Sequence, residues 1–338
     1  MPDHPVATPT DTSSVPAGGR PGRLGTVRRA LGGRAVRYGF VVLAVGLGTY
    51  AVVRQWSEVR AALVAIGVLP VLGALLAILG GLAASMQVWR VLLTSLGSPL
   101  PVRAAAKVVF VGQLGKYLPG SIWPVLAQME LGTVYQVPRR RSATASVLTM
   151  LVSLLGGLLA ALVTLPFMAG AATAYRWAFL AAPVLLACVH PKVLNPVLDR
   201  LLRLAGRPAL EQPLTGRAVL TALGWALFSW LLYGVQIWVL ATRLGAPDGR
   251  TILLAIGGFA FAWSVGFLVV FAPAGAGVRD VLLIALLGPV VGVGGATAIA
   301  LVSRILMTVG DLTTAAVSAW WGRRPSAAVV SADPVDTP

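Results

Sequence analysis

What most constrains this chain is an alternation: apolar runs, most of them 17 to 27 residues long, are separated by short clusters of arginine and lysine. A run of roughly 20 apolar residues matches the hydrocarbon thickness of a bilayer, whereas a soluble helix needs only one apolar stripe. Composition agrees: 57% of the 338 residues are hydrophobic and 11% are charged, and the mean hydropathy is +0.84. Those values lie outside the range of soluble domains and predict an all-α polytopic membrane protein. A net charge of +16 invites a nucleic-acid reading. The basic residues, however, sit at the ends of apolar runs rather than on one solvated face, so no nucleic-acid partner is expected. A lone Cys188 excludes an intrachain disulfide, and with only His4 and His190 no metal or other cofactor is expected.

Residues 1–34, rich in Pro, Thr, Ser, Gly and Arg without apolar periodicity, read as a disordered basic tail. Arg20, Arg23, Arg28, Arg29, Arg34 and Arg37 would hold the N-terminus in the cytoplasm by the positive-inside rule. Six spans are expected within a transmembrane domain of residues 35–322, at about 38–54, 68–89, 143–166, 174–190, 218–241 and 294–320. Residues 323–338 form a second tail behind Trp320, Trp321, Arg323 and Arg324, an aromatic belt followed by a cytoplasmic anchor. Most of the 27 basic residues then fall on the cytoplasmic side, with both termini inside.

Two apolar regions break this pattern. The first, about 104–136, has basic residues on both flanks and is too short for two spans, while one span would put one flank outside. A re-entrant helical hairpin with its tip at Pro119-Gly120 satisfies both constraints. The second, 251–288, is interrupted at Pro273-Ala274-Gly275-Ala276-Gly277 and is long enough for either a hairpin or two full spans. The expected fold is about six transmembrane helices plus two re-entrant or broken hairpins in an inverted repeat, with eight transmembrane helices as the alternative. Inverted repeats with broken helices at matching positions point to a transport site near the midplane.

The chemistry of the two tips is similar. Pro119 disfavours helix before it, Ser121 suits the cap of a new half-helix from Ile122, and Pro124 is tolerated in a first turn. At the second tip Gly275 and Gly277 permit close approach of a ligand before a half-helix that begins near Val278. Each tip then offers a helix N-terminus beside a cation, Lys116 or Arg279, which describes an anion site and most naturally a phosphate site. The expected phosphate-binding set is Lys116, Tyr117, Gly120, Ser121, Gly275, Gly277 and Arg279. Glu130, Asp280, Arg304 and Asp311 also lie in apolar regions and are expected as counter-ions or proton carriers. Arg304 and Asp311, seven apart, share one helical face.

Gln113-Leu114-Gly115-Lys116-Tyr117-Leu118-Pro119-Gly120 with Trp123, and Pro273-x-Gly275-x-Gly277-Val278-Arg279-Asp280, resemble the two signatures of the lysylphosphatidylglycerol synthase transmembrane-region family of flippase-like proteins. The resemblance covers roughly residues 38–321. The second signature commonly reads Pro-Gly-Gly-x-Gly-x-Arg-Glu, so Ala274 and Asp280 depart from it. The full-length synthases carry an aminoacyl-transferase domain after the membrane region, and the resemblance implies the lipid-moving part without it.

The functional expectation is therefore translocation of an anionic or polyprenyl-phosphate-linked lipid across a bacterial plasma membrane. The alternative is a non-transporting subunit that scaffolds a glycosyltransferase or lipid-modifying enzyme. Catalysis is not expected, since no nucleophile and base occur at believable spacing.

Overall fold

The computed structural model describes residues 60–61, 64–117, 122–164, 214–268 and 277–321, with isolated positions between 183 and 203. The expected tails, the span at 38–54, most of the span at 174–190, and Cys188 lie outside the described residues. All regular structure among the described residues is helical: α1 (Val68–Ser95), α2 (Val102–Gln113), a 3₁₀ turn (Leu114–Tyr117), α3 (Trp123–Thr133), α4 (Arg139–Thr164), α5 (Gly216–Arg243), α6 (Asp248–Leu268) and α7 (Val278–Trp321). Five of these, α1, α4, α5, α6 and α7, are long and apolar enough to cross a membrane. The chain is an all-α polytopic membrane protein.

The outer surface explains why. Only 28% of the most apolar window of α1 is buried, and 22% of that of α7. Leu69, Leu76, Val281 and Val293 are among the apolar side chains left exposed. Water would penalise such a surface, whereas lipid tails match it.

Helix lengths separate the two interrupted regions. α2 and α3, 12 and 11 residues long, reach about 18 and 16 Å, so neither crosses a hydrocarbon core of roughly 30 Å. In the second region α6 has 21 residues and does reach across. Its successor α7 is not one straight rod of 44 residues, because it breaks at Gly292 (φ 74°, ψ 160°), a conformation that favours glycine. On a straight helix Asp280 and Arg304 would sit about 36 Å apart. Their side chains meet at 2.6 Å. α7 therefore folds back on itself, giving a first arm of 278–291, about 21 Å long, and a second arm of 293–321 that is the last span. The region 251–288, open in the sequence between a hairpin and two spans, is one full-length helix and then a short one.

Packing links the two halves. α1 and α5 lie along each other and border two apolar cores. One core takes in α6 and α7, with Ile78, Ile237, Phe259, Leu283 and Ile299 at its centre. The other takes in α2 and α4, around Trp89, Leu92, Val108 and Leu148. α2 packs on α7 as α6 packs on α4, and α2 on α3 as α6 on α7. The order α1, α2–α3, α4 thus recurs as α5, α6 with the first arm of α7, then the second arm.

Candidate functional site

The first hairpin is built by backbone contact. A Cβ on Gly115 would lie 2.6 Å from the Pro124 nitrogen and 2.8 Å from the Trp123 carbonyl carbon, and one on Gly112 would lie 2.5 Å from Cγ of Gln128. Only glycine lets the 3₁₀ turn and α3 approach this closely. Gln128 is buried and anchors α3 to α4: the Ser142 hydroxyl donates to its backbone carbonyl (2.9 Å) and the Ser146 hydroxyl to its Oε1 (2.5 Å). Trp89 on α1 donates its indole N–H to Ser146 (3.2 Å). Pro124 falls in the first turn of α3, as its missing amide requires. The N-cap is Ile122 without a side-chain cap, one residue beyond the expected Ser121. Gly120 and Ser121 lie outside the described residues.

At the end of the 3₁₀ turn, Lys116 and Tyr117 both turn to one carboxylate. Lys116 Nζ lies 2.6 Å from Oδ2 of Asp311, and the Tyr117 hydroxyl donates to the same oxygen at 2.6 Å. Asp311, on the second arm of α7, is 3% exposed, while the Lys116 side chain is 28% exposed. Lys116, expected to face a phosphate, faces a buried carboxylate 195 positions later in the chain. Tyr233 on α5 lies within electrostatic reach of Asp311 as well.

The second motif forms the other part of the cluster. Asp280, in the first turn of α7, accepts a hydrogen bond from the Gly277 amide (3.3 Å), so a protein carboxylate already occupies the anion position at this helix N-terminus. Gly277 has φ 89°, a backbone conformation that favours glycine. Asp280 also holds Arg304 at 2.6 Å and Arg279 at 3.5 Å. Arg279 is 10% exposed and lies over the Phe259 ring (5.7 Å), and its backbone packs against Gly266 of α6. Arg304, at 36% exposed, is the most open cation of the group.

The two motifs lie near each other, Arg279 being within electrostatic reach of Tyr117. Lys116, Tyr117, Arg279, Asp280, Arg304 and Asp311 thus form one group, anchored on both arms of α7. Among the described residues it holds three cations and two carboxylates. Such a group, one positive charge in excess among the described residues and partly open, has the chemistry to take up an anion.

Glu130 stands apart: it pairs with Arg139 (2.9 Å) on a half-exposed surface at the start of α4. Gly275 lies outside the described residues. Sequence reading missed Phe259 and Gly266, which carry no signal beyond an apolar run, and Gln128, whose polarity inside such a run is a signal that went unused. No three His, Cys, Asp or Glu side chains gather as metal ligands would among the described residues.

A comparison with curated proteins finds no match. A family model described as the lysylphosphatidylglycerol synthase TM region matches residues 38–313, which contain both motifs and all six residues of the charge cluster. The chain belongs to the lysylphosphatidylglycerol synthase transmembrane-region family.

Proposed function

We propose that this chain moves an anionic phospholipid or polyprenyl-phosphate-linked lipid between the leaflets of a bacterial plasma membrane, with the phosphate received at Arg304 and Arg279. On this reading α2 and α3 form a re-entrant hairpin entered from the cytoplasm, both termini are cytoplasmic, and the lipid tails stay in the bilayer. The two halves form an inverted repeat whose broken elements meet at the site. The family and the apolar exterior support a lipid-related role.

The observation that carries the reading is the shared carboxylate. Two guanidiniums, Arg279 and Arg304, draw on Asp280, whereas Lys116 has Asp311 and the Tyr117 hydroxyl beside it. The surplus positive charge therefore lies on the arginine side, and arginine presents a planar fork suited to phosphate oxygens. Lys116 moves from the expected role of phosphate ligand to that of a tie between the hairpin and α7.

The test is movement of a fluorescent phosphatidylglycerol across proteoliposomes containing the full chain. Arg304→Ala slows it about tenfold or more, since a hydrogen bond to a charged group contributes on the order of 1.5 to 3 kcal/mol. Thermal unfolding changes little, because Asp280 keeps Arg279. Wild-type rates in the Arg279→Ala/Arg304→Ala double variant, or no movement by the wild type itself, would refute the proposal.

A further inference from the structure

We infer that Asp280 sets the number of negative charges the site accepts, and that the site is matched to a lipid phosphate carrying one. The inference rests on the proposed lipid reading and adds a specificity-determining residue to it. Charge must balance here, because the place is poorly screened. Among the described residues, Lys116, Arg279 and Arg304 bring three positive charges, and Asp280 and Asp311 two negative ones. A singly charged phosphodiester brings the group to neutrality. A phosphomonoester or diphosphate in its doubly charged form leaves it negative by one, and an uncompensated charge inside a membrane protein is costly.

The two carboxylates are not equivalent. Asp311 is 3% exposed and sealed by Lys116 and Tyr117, so it stays with the hairpin. Asp280 lies on the open side, 2.6 Å from Arg304, the most exposed cation of the group. An incoming phosphate that engages Arg304 therefore comes close to Asp280, and the carboxylate repels a second negative charge while tolerating the first. Asp280 also accepts the Gly277 amide, a hydrogen bond that an asparagine oxygen preserves. Asp280→Asn thus removes the charge and keeps the helix start. With it the surplus rises to two, and the preference moves toward a dianion.

The experiment uses the full chain in nanodiscs at pH 8.5, titrated with three dioctanoyl lipids: phosphatidylglycerol, phosphatidate and phosphatidylcholine. They carry one net negative charge, close to two, and none, the second phosphate ionisation lying near pH 6. The wild type binds phosphatidylglycerol about tenfold more tightly than phosphatidate, a modest share of the Coulomb energy of one charge at such distances. Asp280→Asn reverses that order. Arg304→Gln, which removes the surplus charge, brings phosphatidylglycerol down to the level of phosphatidylcholine. Equal binding of both anions by the wild type overturns the inference, and so does an unchanged order in a folded Asp280→Asn protein. If Asp280→Asn does not fold, the wild-type order and the Arg304→Gln result decide alone. Failure of the lipid reading looks different: neither anion binds the wild type better than phosphatidylcholine.

Discussion

The two interrupted elements pack in corresponding ways but handle charge differently. In the first hairpin the arms touch through backbone at Gly112 and Gly115, and the cation at its tip is answered by a carboxylate from another element, Asp311. In the second, one arm is a full-length helix, and the cation beside its tip shares the neighbouring Asp280 with Arg304. The first is tied down and the second keeps charge in reserve. A repeat of similar packing can therefore divide its labour, with one copy fixing geometry and the other meeting the ligand. On the proposed function, damage to the first copy is read as lost stability, and damage to the second as lost lipid handling.

The strongest way to break the comparison is at Asp311. Removing one partner of a buried ion pair leaves an uncompensated charge, which typically costs about 3 to 5 kcal/mol. Lys116→Ala leaves Asp311, 3% exposed, without its cation and is therefore expected to lower the melting temperature sharply in detergent or nanodiscs, and Lys116→Ala/Asp311→Ala to regain part of the loss. A double-mutant cycle gives the coupling between the two residues. Additive losses would mean that Lys116 and Asp311 do not hold each other, and the first hairpin would lose its claim to be the anchored one.

A smaller effect is expected at Gly115. A methyl group there meets backbone atoms of Trp123 and Pro124 at 2.6 to 3.0 Å, and backbone yields less readily than the end of a flexible side chain. Overpacking of this kind costs about 1 to 3 kcal/mol, so Gly115→Ala lowers thermal stability. A Cβ on Gly266 would lie 3.3 Å from Cβ of Arg279, a looser fit, so Gly266→Ala costs less. The reverse order would contradict the claim that the first hairpin is the tighter of the two.

Much of this architecture is legible from residues alone. α2 and α3 fall on either side of the expected Pro119-Gly120 break, and the last span begins at 293 against an expected 294. Length carries that information, because a bilayer fixes how many apolar residues a span needs. Partner choice is not legible. Arg304 and Asp311 are seven apart on one face, but nothing local says that Lys116 takes Asp311 while Arg304 takes Asp280. The fold-back at Gly292 decides it, since it brings the first arm of α7 beside the second. A glycine-rich run at the head of a span announces a break without its angle. Lys116 misleads for the same reason: a cation at a tip reads as a ligand site until the carboxylate that reaches it is known.

The smallest expected effect sharpens the comparison from outside the cluster. Glu130 and Arg139 join α3 to α4 as Asp280 and Arg304 join the two arms of α7, but the first pair flanks the turn between its helices and the second lies far from the break at Gly292. The Arg139 contact has near-ideal form, with Nε at 3.0 Å from one carboxylate oxygen and Nη2 at 2.9 Å from the other. Its setting is the difference: the two side chains are 49% and 36% exposed, and water screens what geometry offers. Exposed pairs contribute about 0 to 1 kcal/mol. Arg139→Gln is therefore expected to shift melting by at most a few degrees, on the order of what about 1 kcal/mol does in a small domain, and to leave lipid movement at the wild-type rate. Raising the salt concentration should shrink even that shift, since screening acts on exposed charges first. A large loss of lipid movement in Arg139→Gln would show that the first half also handles ligand, and that the two copies do not divide their labour.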